Sequence, residues 1–139
     1  MAVYLREMRW MKWFSVLAAV TMMVSCFYPW VIVVERDIVI SGVDAAKTSY
    51  GKPGYLNLTL GVFYVVLSLI PRLWARRVNI FVATINFAWM IRNFLVLSRC
   101  EAGDCPEKKT ALFVFMTACL AMLVGAVTTP ANLESSNVK

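Results

Sequence analysis

The sequence predicts an all-α membrane fold: an antiparallel four-helix transmembrane bundle with a small β-containing extracytoplasmic cap. Composition is the first reason. Of 139 residues, 60% are hydrophobic and 16% charged, whereas a soluble domain is usually about 45–50% apolar. The second is segmentation, because the charges lie between four apolar runs. The third is the run Val78–Ser98. At ~1.5 Å per residue it covers the ~30 Å of a hydrocarbon core. Asn79, Asn86 and Asn93 recur in it every seven residues. On a helix they fall near one face, and that face needs neighbouring helices to satisfy it.

One domain, residues 1–129, holds the four runs, with spans at about 8–28, 55–71, 78–98 and 110–128. The first has a basic, amphipathic lead-in with Arg6, Arg9 and Lys12. A basic start before an apolar run also describes a signal peptide, and Met23-Val24-Ser25-Cys26 has the outline of a lipoprotein signal. Met23 stands where such signals carry leucine, so the run is expected to stay as a helix. Pro29 interrupts it. Trp30–Ile40 is rich in β-branched residues and too charged at its middle for lipid, which suits a strand. Ser41–Asp44 offers a turn, and the polar stretch 47–54 ends in the breakers Gly51, Pro53 and Gly54. A short hairpin docked on the bundle is expected, because a lone hairpin is only marginally stable. After the second span, Pro71 and the basic residues Arg72, Arg76 and Arg77 form a short link, making the second and third spans antiparallel neighbours. A compact polar loop, 99–109, leads to the fourth span, and residues 130–139 are read as a flexible cytoplasmic tail.

The lead-in and the link each carry three basic residues and lie on the same side of a four-span chain. The positive-inside rule puts that side in the cytoplasm. Both termini are then cytoplasmic, loops 29–54 and 99–109 are external, and the expected location is a plasma membrane, a bacterial inner membrane. Cys100 and Cys105 bracket the second outer loop, in a compartment where disulfides persist. A Cys100–Cys105 bond is expected, with Gly103 helping the loop to turn.

Asn79, Asn86, Arg92 and Asn93 make up the intramembrane polar seam. Arg92 is the costliest of them. It lies about six residues before the polar loop, roughly 9 Å below the helix end. Snorkelling would let Glu35, Asp37 or Glu101 cap it. Interhelical asparagine bonds in membranes average under ~1 kcal/mol, so they specify register more than they stabilise. Ser15 and Ala19 in the first span, and Thr117, Ala121 and Gly125 in the fourth, suit close helix packing. Trp10, Trp13 and Trp74 are expected at the inner interface, and Tyr28, Trp30 and Tyr55 at the outer one. Asn57-Leu58-Thr59 reads as a chance glycosylation sequon.

Histidine is absent, which removes the commonest general base and metal ligand. The sequence has no Gly-rich phosphate loop, Cys/His cluster or Ser/His/Asp set, so no enzymatic activity, cofactor or metal is expected. Nor is there a basic, water-facing aromatic patch on which nucleic acid could stack. The net charge of +6 belongs to the flanks of the spans.

In layout the chain resembles claudin-type four-span proteins: both termini inside, a larger β-prone first outer loop containing Trp30, and a smaller second one. Claudins carry a cysteine pair with the tryptophan in the first loop. Here the pair lies in the second, so the resemblance implies a topology and no claudin activity. The expected function is a non-catalytic accessory or scaffolding subunit, with membrane lipids and a protein partner or second copy around it. One alternative is a small transport or lipid/quinone-binding unit using Arg92 and the asparagines. Another is thiol–disulfide exchange at Cys100 and Cys105. Four-helix quinone reductases that oxidise thiols need a second pair near the first outer loop, and Pro29–Tyr55 contains no cysteine. Small four-helix exporters use a glutamate in the first helix, and residues 8–28 contain none.

Overall fold

Prolines and glycines cut the chain into four helices. The structure is a computed structural model describing residues 2–45, 48–49, 51–100 and 102–129. α1 (Ala2–Ser25) stops before Pro29, α2 (Tyr55–Leu69) starts after Gly54, α3 (Leu73–Leu97) follows Pro71, and α4 (Thr110–Thr128) follows the disulfide loop. Two bounds differ from the sequence expectation by five residues or more. The lead-in with Arg6, Arg9 and Lys12 is continuous with α1, and α3 begins at Leu73 instead of 78. Hydropathy excluded both basic stretches, but Leu, Ala and Arg are good helix formers. The link between α2 and α3 is therefore only Ile70–Arg72, both of whose end residues are extended. The tail 130–139 lies outside the described residues.

The helices form a ring in which α1 neighbours α2 and α4, and α3 neighbours α2 and α4. On α3 the buried positions are Ala75, Asn79, Ala83, Asn86, Met90, Asn93 and Leu97. From Ala83 on their spacing alternates between three and four, the 3.5-residue repeat of a left-handed supercoil. Two glycines allow close approach. A methyl at Gly61 on α2 would overlap Met22 and Met23 of α1, and one at Gly125 on α4 would overlap Ser15 of α1.

The outer faces are apolar on all four helices, with Leu17 64%, Phe63 56%, Phe81 71% and Val124 51% exposed. Among the described residues, α3 and α4 are long and apolar enough to cross a membrane. α2 has 15 residues, and the first half of α1 carries Arg6, Glu7, Arg9 and Lys12. The fold is thus a mostly helical four-helix assembly with two membrane-capable helices.

The cap is a three-stranded antiparallel sheet in the order β2-β1-β3, from β1 (Pro29–Val33), β2 (Ile38–Ser41) and β3 (Glu107–Lys108). Expected as one strand, Trp30–Ile40 is folded in two. A 3-10 turn at Val34–Arg36 and a left-handed Asp37 (φ 50°) pair Val33 with Ile38. The turn falls on the charged residues because they gain nothing from the sheet's buried face. The second outer loop supplies the third strand, pairing Val31 with Lys108 and Ile32 with Glu107.

Trp30 pins this cap to the bundle. It was expected at a membrane interface. Instead it is fully buried, donating from Nε1 to the Ser25 carbonyl at 2.8 Å, with its ring 4.4 Å from that of Phe115 on α4. Its indole, with the Cβ and carbonyl of Cys26, leaves no room beside Gly42 for a side chain. Gly42 in turn accepts from the Gly54 amide at 2.6 Å, and a Cβ on Gly54 would come within 2.7 Å of the Gly42 backbone. Backbone cannot yield there as a side chain would. Gly54→Ala is expected to cost about 1–3 kcal/mol, the usual range for overpacking, measured as a lowered unfolding midpoint in detergent. An unchanged midpoint would mean that the two glycines are not in contact.

Candidate functional site

The polar residues fall into two groups, one inside the bundle and one at its cap-side rim. Inside, the α3 asparagines meet a partner on α2 that the sequence reading passed over. Asn57, fully buried, donates from Nδ2 to Asn86 Oδ1 at 2.7 Å and to the Asn86 carbonyl at 3.2 Å. Asn93 donates to Asn57 Oδ1 at 3.3 Å and to the Pro53 carbonyl at 2.9 Å. Asn86 completes the relay by pointing its own Nδ2 at Cys119 Sγ (3.5 Å) and Met122 Sδ (3.8 Å) of α4. Asn79 stands apart, donating to Ser68 Oγ at 2.9 Å with its Oδ1 buried and unpartnered.

A signal for Asn57 was present: Asn57, Gly61, Tyr64 and Ser68 recur at helical spacing and share the inward face of α2. Tyr64 is buried on it, with its hydroxyl donating to the Met122 carbonyl at 3.1 Å.

Arg92 does not belong to this inner group. One residue is about 100° of helical turn, so Asn93 faces inward while Arg92 is exposed. Its guanidinium lies over the Trp89 ring, 4.6 Å from the centroid. Of the three expected partners, Glu101 lies outside the described residues, Glu35 is engaged with Asp104, and Asp37 makes no ion pair with Arg92. The reason is placement, since Arg92 sits on the outer side of α3 and Glu35 and Asp37 sit at the exposed β1–β2 turn. Lys52 and Lys108 likewise lie over rings, those of Tyr55 (4.8 Å) and Phe94 (5.4 Å).

The small-residue positions also divide. Ser15 and Ala19 are buried, and Ser15 receives Gly125. Thr117 and Ala121 instead line an outward groove of about 390 Å³ between α1 and α4, opposite Phe14 and Leu17.

In the cap, Cys100 and Cys105 are disulfide-bonded, and the loop turns through Ala102 and Gly103, both at positive φ. Arg36 donates from Nε to Asp104 at 2.8 Å, joining the hairpin turn to this loop. Asp104 also shares a hydrogen bond with Glu35. That bond and the adjacent negative charge hold the Glu35 carboxyl above its usual range, while the contacts with Glu35 and Arg36 hold Asp104 below its own. Lys109 similarly lowers Glu107 through a 2.7 Å bond. Behind them is a cavity of about 230 Å³, walled by Val31, Ile38 and Leu97 with Arg36, Arg99 and Asp104 at its polar side. The remaining cysteines, Cys26 and Cys119, are free and buried.

The inner relay orients helices and leaves its carboxamides committed to one another. Among the described residues, no three potential metal ligands gather. Set against known protein families, curated proteins and solved structures, the chain matches none.

Asn57→Ala strips Asn86 and Asn93 of a shared partner. The expected loss is about 1–2 kcal/mol, the upper end for interhelical hydrogen bonds in membranes. Asn79→Ala, with one bond to lose, should cost less. Denaturant unfolding in micelles would rank them, and equal losses would remove the relay.

The carboxylates give a pH signature. The raised Glu35 contributes below its unfolded value and loses that contribution as pH rises through its folded value. The lowered Asp104 contributes above its unfolded value and loses it as pH falls through its folded one. The contact is therefore strongest in mild acid, between the two. Carboxyl NMR titration should find Glu35 above and Asp104 below the usual ~4, with Asp104→Asn returning Glu35 towards normal. A Glu35 midpoint at the ordinary value in the parent chain would refute the contact.

Proposed function

We propose that the protein crosses a membrane four times and serves as a non-catalytic accessory or scaffolding subunit of a membrane assembly, offering its cap to a protein partner outside. The observation that carries this reading is the closure of the inner polar groups on one another. Asn57 bonds Asn86, Asn93 bonds Asn57, and Asn86 turns its amide to Cys119, so among the described residues these carboxamides are spent on holding helices together. The exterior supports four spans. Large apolar side chains are exposed along α1, α2, α3 and α4 alike, far beyond the patches that soluble monomers leave open.

At ~1.5 Å per residue, α3 and α4 extend about 37 and 28 Å, and α2 about 22 Å. A short span is accommodated by local thinning of the bilayer and by snorkelling flanks. The apolar second half of α1, from Trp13 to Ser25, lies beside α4 over a comparable depth. The basic residues of α1 and those at Arg72–Arg77 occupy the end away from the cap. The positive-inside rule then puts the cap outside and the N-terminus in the cytoplasm. A cap braced by Trp30, the disulfide and the Arg36–Asp104 pair is a rigid surface for recognition.

Two measurements test the two halves of the proposal. On intact cells, an impermeant maleimide is expected to label Ser49→Cys, and to label Arg77→Cys only after permeabilisation. Labelling of both from one side would end the four-span reading. Extraction from native membranes in mild detergent is expected to give a complex of fixed stoichiometry larger than one chain. A monodisperse monomer would end the accessory reading.

A further inference from the structure

We propose that Lys52 and Arg92 form a binding site for the phosphate of an anionic phospholipid headgroup, at the cap-side edge of the α2–α3 face. The inference rests on the membrane-spanning reading above. Its starting point is the Pro53 carbonyl, which accepts from Trp89 Nε1 at 3.1 Å and from Asn93 Nδ2 at 2.9 Å. Those two donors flank Arg92 along α3, and the carbonyl they hold adjoins Lys52. The loop before α2 is thereby fixed against the turn of α3 that carries Arg92, and both cations are exposed at one junction.

Each cation has a ring behind it and no carboxylate among the described residues in front of it. Arg92 lies over Trp89 and Lys52 over Tyr55. A guanidinium held by a ring's π-face does not use its N–H donors on it, and their fork fits two phosphate oxygens. Of the described cap acids, Asp104 is engaged with Arg36 and Glu107 with Lys109. Lys108 lies over Phe94, on the other flank of α3 from Arg92, and is not part of this site.

Depth selects the ligand. Arg92 stands five residues before Leu97, the last residue of α3, roughly 7 Å along the axis. Its neighbours Ile91 and Leu95 are 42% and 55% exposed, so the surface around it is apolar. A long side chain there reaches up to the headgroup level, where Trp and Tyr concentrate. An acidic segment of a soluble protein would meet Lys52 but would have to descend among lipid-facing side chains to reach Arg92. A headgroup phosphate is already at that level.

The test uses the full chain in a neutral detergent. It is titrated with phosphatidylglycerol or with phosphatidylcholine, and bound lipid is counted by native mass spectrometry. Phosphatidylglycerol is expected to bind in preference. Arg92→Gln and Lys52→Gln should each weaken it about five-fold, the usual contribution of one cation near an anionic surface. Arg92→Lys should fall between parent and Arg92→Gln, and Arg77→Gln at the opposite end should change nothing. Both rim residues are exposed, so the variants should fold as the parent does, checked by circular dichroism.

Equal binding of the two lipids would overturn the proposal, as would selectivity unchanged in both glutamine variants. Competition by millimolar inorganic phosphate or by an acidic peptide would assign the site to a soluble anion and overturn the lipid. A carbonate wash separates this failure from the earlier one. Protein retained in the membrane but without lipid preference refutes this site alone, whereas protein released by the wash refutes the membrane reading and the site together.

Discussion

A carboxamide inside an apolar bundle has to find a partner, because leaving one bare costs more than a hydrogen bond gains. Asn57 is where this requirement is met. It joins Asn86 and Asn93 across the α2–α3 interface, and Asn93 passes the connection on to the Pro53 carbonyl. Sliding α2 against α3 by one turn would break all of these bonds at once. The relay therefore fixes the register of two helices and the position of the loop between the cap and α2. It reaches α4 through two sulfur atoms, weak acceptors that suit a helix held chiefly by packing. α1 meets α4 through a hydroxyl–sulfur contact, Thr128 Oγ1 to Met11 Sδ at 3.2 Å. It is drawn against α4 where Gly125 admits Ser15, and against α2 where Gly61 admits its methionines.

The cap depends on the same placement. Once Pro53 is held, Gly54 can touch Gly42, and Gly42 touches Trp30. The indole closes the top of the bundle by bonding the last carbonyl of α1 and stacking near Phe115 of α4. A two-residue strand such as β3 has little stability of its own. It persists because the Lys109 amide bonds the Trp30 carbonyl and the Cys100–Cys105 loop limits where the strand can go.

The sequence carried these features unequally. Four apolar runs foretold four helices, and the seven-residue repeat foretold that Asn79, Asn86 and Asn93 would share a buried face. Asn57 was legible only through Gly61, Tyr64 and Ser68, a face that the sequon pattern of Asn57-Leu58-Thr59 obscured. The hairpin was placed in the right stretch with its turn in the wrong one. Val34 and the β-branched residues around it outweighed Glu35, Arg36 and Asp37, which broke the strand. β3 was not legible, because a pair of charged residues becomes a strand only when a distant edge is available to it. Trp30 was mistaken for an interface anchor because the direction in which a side chain leaves a strand depends on register, which local composition does not encode.

Arg92 and Asn93 show how one helix sorts polar groups by what each can tolerate. Asparagine is neutral and short, so burial asks only for a fixed partner, which Asn57 and Pro53 supply. Arginine keeps its charge at any accessible pH, and no single neutral contact offsets its burial. Its length is the remedy, provided that it starts near a helix end and on the outer side. One step along α3 separates these outcomes, and adjacency in sequence becomes opposition in space. The same rule distributes the acids: Glu35, Asp104 and Glu107 all sit in the cap, where Asp104 and Glu107 each meet a cation and Glu35 meets Asp104. Lys52 and Arg92, at the foot of the cap, have no ion pair with a described carboxylate and lie instead over the rings of Tyr55 and Trp89. Aromatic faces attract such cations without consuming their donors. A ring can therefore hold a cation at the edge of the bundle and still leave its charge open to a further contact.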